Sequence, residues 1–199
     1  AISEGYNIIV MPGYAFAGTL VEVAPQYPDV KFVALDVAEG DLLEAAVGAA
    51  GEEYDFNPSN WDLEDYFDMS NVYCAVYQEE LCGYMAGYAA VKFGYEKLGF
   101  LGGMAVPAVQ AFGYGYLQGI EAAAAELGLA AGDITVKYHY TGNFDESDIN
   151  KATAAAMYES GIEVIFACGG SVGKSVMYAA AEAGKKVIGV DVDQRYESE

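Results

Sequence analysis

The chain has 199 residues, 54% of them hydrophobic, and its 30 acidic and nine basic residues give a formal charge of −21. The apolar content is sufficient for a buried core in one domain or two small lobes. The negative charge argues against binding to nucleic acid or anionic membranes, because both need a basic surface.

The first 95 residues alternate strand and helix patterns. Strands are predicted at 7–11, 31–35 and 71–77, and helices at 18–27 and 79–93. Residues 37–70 break this alternation with acidic and aromatic residues, which predicts an insertion containing a short helix at 42–47. The insertion is either a solvated segment without a role in binding or a cap that brings Trp61 or Tyr66 near a ligand. Because both faces of a parallel sheet need covering, residues 1–95 are expected to form an incomplete first α/β lobe.

The remaining residues predict a complete α/β lobe over 96–191. Strands are predicted at 97–101, 135–140, 164–167 and 187–190, and helices at 108–127, at 148–159 and between the last two strands. Four strands and three helices suffice for an independent lobe with a parallel sheet. We expect the boundary between the lobes near residues 94–97, and a crossover back to the first lobe to begin at 192–199.

Several predicted strands end in residues suited to ligand binding. Ligands of parallel sheets collect at the carboxyl ends of the strands, and Asp36 and Asp191 each follow an apolar strand. A carboxylate in this place can accept two hydroxyl groups of a sugar. Asp191 and Asp193 also allow a metal or acid–base pair, or a solvated pair, but no histidine or third carboxylate lies near them in sequence.

The sequence CGGSVGKS at 168–175 differs by one residue from the phosphate-binding pattern G-x-x-x-x-G-K-[ST]. Cys168 replaces the first glycine, where a side chain crowds the amides that surround the phosphates. The alternatives are a nucleotide-binding enzyme, a glycine-rich turn with an exposed lysine, and a turn whose Gly169 and Gly170 amides hold a neutral polar ligand at a helix N-terminus.

The cysteines and the histidine limit the possible chemistry. Cys74, Cys82 and Cys168 lie in or beside apolar segments without metal-type spacing, so we interpret them as buried thiols, with a Cys74–Cys82 bridge as the minor alternative. His139 is the only histidine, which leaves a Ser-His-Asp triad one possible base. We expect no catalytic residues, no metal and no cofactor.

Seven segments resemble the basic membrane protein family of substrate-binding lipoproteins, which includes purine nucleoside receptors of ABC transporters. They are GYAF at 13–16, YPDVKF at 27–32, YQEELCG at 77–83, LGFLGGM at 98–104, TGNF at 141–144, VIFACGG at 164–170 and VIGVDVDQ at 187–194. Their order and spacing extend over nearly the whole chain apart from residues 37–70.

The resemblance implies a type I periplasmic-binding fold, in which two doubly wound lobes close on a nucleoside. The family's base-binding aspartate falls on Asp36, its ribose-contacting turn on Gly169 or Gly170, and its ribose-contacting aspartate on Asp191. An aromatic side chain that stacks on the base falls on Phe144. The family pattern also places a cleft-lining loop in this chain, formed by Tyr14, Ala15 and Phe16.

The resemblance also implies partners and a location. It implies an ABC transporter permease as the partner and an extracytoplasmic or periplasmic receptor anchored by a lipid outside these 199 residues. Two ligand-contacting segments of the family do not occur in these 199 residues, and from the sequences at its two ends we expect the chain to be a fragment or processed form. An exposed sheet edge could then drive self-association. The alternative function is the ligand-sensing domain of a regulator with the same fold, because a fold alone does not fix function.

Overall fold

The computed structural model describes residues 1–197, which form two compact units, the first from Ala1 to Tyr77 and the second from Gln78 onward. Each unit contains its own parallel sheet. This division lies one helix before the predicted boundary near residues 94–97. The helices within residues 1–197 lack the length and apolarity needed to cross a bilayer.

The first unit has a three-stranded parallel sheet in the order β1-β2-β3. Its elements are β1 (Ile8–Pro12), α1 (Ala17–Val23), β2 (Lys31–Leu35), α2 (Glu39–Ala49) and β3 (Val72–Ala75). Phe32 of β2 packs with Leu20 of α1 and Leu42 of α2 in one buried core, so both helices cover the same face of the sheet.

The opposite face of this sheet is open. Val10 pairs in register with Val33, and Val33 with Tyr73, so these three side chains share a face. Val10 is 57% exposed, Tyr73 66%, and Ile8 on the same face 61%. Parallel sheets usually have both faces covered, and the prediction of an incomplete first lobe agrees with this open face.

Residues 37–70 are not solely a solvated insertion: Val37, Leu42 and Phe67 lie in the core of the first unit, although most of residues 50–70 are exposed. The helix α2 is longer than predicted, and Leu43 and Val47 on its buried side pack with Tyr54. The Trp61 ring contacts the rings of Tyr54 and Tyr66, each with 5.8 Å between centroids. The aromatic residues of the segment therefore stabilise its own fold against α2.

The second unit has a four-stranded parallel sheet in the order β5-β4-β6-β7. Its elements are α3 (Glu79–Lys92), β4 (Lys97–Gly102), α4 (Pro107–Leu127), β5 (Thr135–Tyr140), α5 (Asp148–Glu159), β6 (Val164–Cys168), α6 (Val172–Ala183) and β7 (Lys186–Ile188). Within the described residues, the four strands and three helices predicted after Lys97 are all present.

The helices α3 and α4 pack with their backbones in contact, which places α3 in the second unit. A Cβ atom at Gly87 of α3 would lie 2.1 Å from the carbonyl oxygen of Tyr116. A Cβ atom at Gly119 of α4 would lie 2.0 Å from the carbonyl oxygen of Tyr84. Only glycine allows this approach, so the position of the unit boundary follows from these residues.

Candidate functional site

The carboxyl ends of β4 and β6 form a packing surface made of main chain, in which Gly103 and Gly169 are buried and Gly170 is exposed. Gly103 follows β4, and its amide donates to the Cys168 carbonyl at the end of β6 at 2.9 Å. A Cβ atom at Gly169 would lie 2.5 Å from the Gly103 nitrogen. The two turns therefore touch, and neither has room for a side chain at the contact.

Phe144 lies against this surface. A Cβ atom at Gly103 would lie 2.4 Å from Cδ1 of Phe144, and one at Gly170 would lie 3.7 Å from its Cβ. The structure thus brings the predicted residues Phe144, Gly169 and Gly170 together, and their role in binding stays a prediction. Sequence reasoning missed Gly103, although two glycines directly after a predicted strand were a usable signal.

Asp191 lies in a strained turn after β7. Its φ is 67°, in the left-handed region that non-glycine residues seldom adopt. The Val192 amide donates to the Val190 carbonyl at 2.8 Å, and Oε1 of Gln194 accepts from the Val190 amide at 2.9 Å. These bonds hold the turn, and strained residues of this kind cluster at ligand sites.

The negative charge of Asp191 acts on Cys168 at the end of β6. Burial raises the pKa of the Cys168 thiol to about 12, and the negative charges of Asp191 and Glu79 add to the effect. β7 ends at Ile188, before the predicted Val190, and Asp193 pairs with Arg195 at 2.9 Å. The hydrogen bond from Arg195 lowers the pKa of Asp193. Asp193 is thus engaged with Arg195, and the described residues contain no cluster of metal-ligating side chains.

In the first unit, the predicted residues lie at the carboxyl ends of neighbouring strands. Tyr14, Ala15 and Phe16 form a single 3₁₀ turn after β1, and Asp36 follows β2 with a φ of 60°. The Gly13 amide donates to the Leu35 carbonyl at 2.8 Å, which joins the two strand ends. With its φ of 60°, Asp36 has a left-handed backbone like that of Asp191.

Asp41, which the sequence reasoning missed, is buried near Asp36 and only 7% exposed. Its Oδ2 accepts a hydrogen bond of 2.7 Å from the Ala38 amide at the start of α2. Burial raises the pKa of Asp41 to about 6; the bond from Ala38 opposes this shift, and the charges of Asp36 and Glu44 add to it. In the sequence, Asp41 directly precedes the predicted helix at 42–47, and this position was a usable signal.

The phosphate-binding alternative does not match the geometry at residues 168–175. The Ser175 hydroxyl, which would contact a metal ion in that motif, is buried and bonded to both the amide and the carbonyl of Ser147. Nζ of Lys174 pairs with Glu197 at 3.0 Å. Both side chains therefore have structural partners.

The cysteines are all free. Cys168 is buried as predicted, Cys74 is half-buried, and Cys82 is exposed, contrary to the prediction. Cys82 lies on the side of α3 turned away from Gly83 and Gly87, which contact α4. A segment that looks apolar in sequence can thus leave one face of its helix in solvent.

Comparisons with known proteins agree with this fold. BmpA, an ABC transporter nucleoside-binding protein of Lactococcus lactis subsp. cremoris, is 37% identical over 169 residues, which are 79% of this chain and 45% of that protein. Basic membrane protein B of Borreliella burgdorferi is 29% identical over 97% of this chain and 49% of its own length. An ABC transporter solute-binding protein of Aeropyrum pernix K1 aligns with a TM-score of 0.63 and 26% identity, over 92% of this chain and 44% of that one.

These matches confirm the predicted type I periplasmic-binding fold. The chain spans about half the length of the curated relatives it matches. A family model described as ABC transporter substrate-binding protein PnrA-like matches residues 1–199. The chain therefore belongs to the Bmp family of PnrA-like substrate-binding proteins of ABC transporters.

Proposed function

We propose that this chain belongs to an extracytoplasmic receptor that binds a nucleoside, with a purine favoured, and delivers it to an ABC transporter permease. The ligand is held without catalysis by the residues that the family resemblance assigns to binding. The proposal extends the substrate-binding role of the family and the nucleoside binding named for the Lactococcus relative. The receptor is membrane-associated through a lipid anchor, as the resemblance to lipoproteins implies.

The observation that carries the proposal is the grouping of an aromatic ring, a main-chain surface and a carboxylate at one sheet edge of the second unit. Phe144 adjoins Gly103 and Gly170, and the charge of Asp191 acts on the end of β6. A ring can stack on a planar base, and a carboxylate can accept two ribose hydroxyls. In the first unit, Asp36 offers a second carboxylate for the base.

The test is calorimetric titration of purine and pyrimidine nucleosides, the free bases and ribose into the chain. We expect a purine nucleoside to bind, and Asp191→Ala to weaken it about 10- to 100-fold, since a hydrogen bond to a charged group contributes about 1.5–3 kcal/mol. Asp193→Ala is the matched control and should leave the affinity unchanged, because that carboxylate pairs with Arg195.

Equal effects of the two substitutions would contradict the assignment of Asp191. Binding of ribose alone, with no gain from the base, would remove the role of Phe144 and favour a sugar receptor. If no nucleoside, base or sugar binds, the proposed ligand class is wrong.

A further inference from the structure

The turn that carries Phe144 is held by side-chain hydrogen bonds within itself. Oγ1 of Thr141 donates to the Asn143 carbonyl at 3.0 Å, and Nδ2 of Asn143 donates to the Thr141 carbonyl at 3.2 Å. Oδ1 of Asn143 accepts from the Asp145 amide at 3.0 Å. Asn143 therefore bridges both sides of Phe144.

Asn150, in the first turn of α5, connects this turn to the body of the second unit. It is 2% exposed, and its Nδ2 donates to Oδ1 of Asn143 and to the Asp145 carbonyl, each at 2.8 Å. Both protons of the amide group are used. An unpaired buried donor or acceptor is costly, so this arrangement strongly favours one shape of the turn.

The far end of the turn is also fixed. The Ser147 amide donates to the Ser175 hydroxyl at 3.0 Å, and that hydroxyl donates to the Ser147 carbonyl at 3.2 Å. Ser175 belongs to α6, whose N-terminus follows Gly170. The turn is thus tied to α5 and to α6, which begins just after Gly170.

We propose that Asn150 is a positioning residue for nucleoside binding, which acts by fixing the turn that holds Phe144 against Gly103. Asn150 itself does not touch the ligand. The step from turn geometry to affinity rests on the proposed function, whereas the control of the turn by Asn150 does not.

The first test measures the turn directly by NMR hydrogen exchange. In Asn150→Ala we expect the Gly142 and Asp145 amides, which bond to the Gly103 carbonyl and to Oδ1 of Asn143, to exchange at least about fivefold faster. Asn150→Asp, of nearly equal volume but without donors, should do the same if the alanine variant folds poorly. Tyr158→Phe, which removes another buried hydrogen bond of α5, is the control and should leave these two amides unchanged.

The second test is a double-mutant cycle on nucleoside affinity. We expect Asn150→Ala to weaken binding about tenfold in the wild-type chain and less than twofold in a Phe144→Leu background, because a residue that acts through Phe144 has little left to position. Equal losses in both backgrounds, or unchanged amide exchange, would overturn the inference. If the wild type binds no nucleoside, the proposed function fails, and the exchange rates alone decide whether Asn150 controls the turn.

Discussion

At the scale of single residues, three carboxylates have unfavourable settings. Asp36 and Asp191 have left-handed backbones, and Asp41 is buried beside a second carboxylate. Each arrangement costs free energy that the rest of the unit must offset. The cost at Asp41 is the most accessible to measurement, because it depends on pH.

We expect Asp41→Asn to stabilise the protein at pH 7 by about 1 kcal/mol, a value reduced from the full pKa shift to allow for screening by solvent. The pKa of Asp41 rises from 3.8 to about 6 on folding. Its contribution to stability is therefore fully present below pH 3.8 and is lost as the pH rises through about 6. Asparagine keeps an acceptor for the Ala38 amide and carries no charge.

Urea unfolding between pH 4 and pH 8 measures this effect, and the gain from Asp41→Asn should grow as the pH rises through the folded pKa of about 6. Asp62 also accepts a backbone hydrogen bond, from Glu64 at 3.0 Å, but is exposed. Asp62→Asn should show no such growth. Parallel stability curves for wild type and Asp41→Asn would contradict the assignment.

At the scale of helices and strands, the glycines between α3 and α4 set how closely the two helices pack. We expect Gly87→Ala to destabilise the protein by about 2 kcal/mol or more, because the added methyl group meets a backbone carbonyl that cannot move alone. Gly48→Ala on α2 is the control, since its Cβ meets nothing within 4 Å, and it should stabilise by about 0.5–1 kcal/mol. Urea unfolding of both variants distinguishes packing from helix propensity, and equal effects would exclude the close contact as the cause.

Elements with a clear hydrophobic period were predictable from sequence, and contacts between them were not. Lys31–Leu35, Thr135–Tyr140 and Asp148–Glu159 match their predictions at both ends, because turn residues bound regular apolar patterns there. The helix α2 was underestimated, since acidic residues at its start resemble a loop. The placement of α3 depends on contacts with α4 such as that of Gly87 with Tyr116, which lies 29 residues further along the chain, and local patterns do not contain them.

The candidate site was predictable to a similar extent. Asp36 and Asp191 were located because strand ends are visible in sequence. Asn150 could not be assigned a role, because its importance comes from its hydrogen bond to Asn143 in the preceding loop. The contact of Gly103 with Phe144 was equally hidden, although its place after a strand was a usable signal.

At the scale of the whole molecule, the open face of the first sheet and the net charge of −21 have opposite effects on self-association. The strands β1, β2 and β3 contain no carboxylate, and Lys31 is their one charged residue. Apolar faces favour association, whereas the remaining charge repels a second copy of the chain. We expect weak self-association that strengthens as salt screens the repulsion.

Sedimentation velocity at low and high salt measures this association. Val10→Lys, which charges the open face, should reduce it, and Val192→Lys, at a position that is also exposed but lies outside this face, should not. A monomer at all salt concentrations, or equal effects of the two variants, would contradict the role of the open face.

The left-handed backbones of Asp36 and Asp191 also have an evolutionary consequence. Glycine adopts this conformation without strain, so Asp191→Gly relieves it while removing the carboxylate. A selection for thermal stability alone would therefore enrich glycine at both positions, and a selection for ligand uptake would restore aspartate. Opposite outcomes of these two selections at the same codons would show which residues the protein keeps for its ligand.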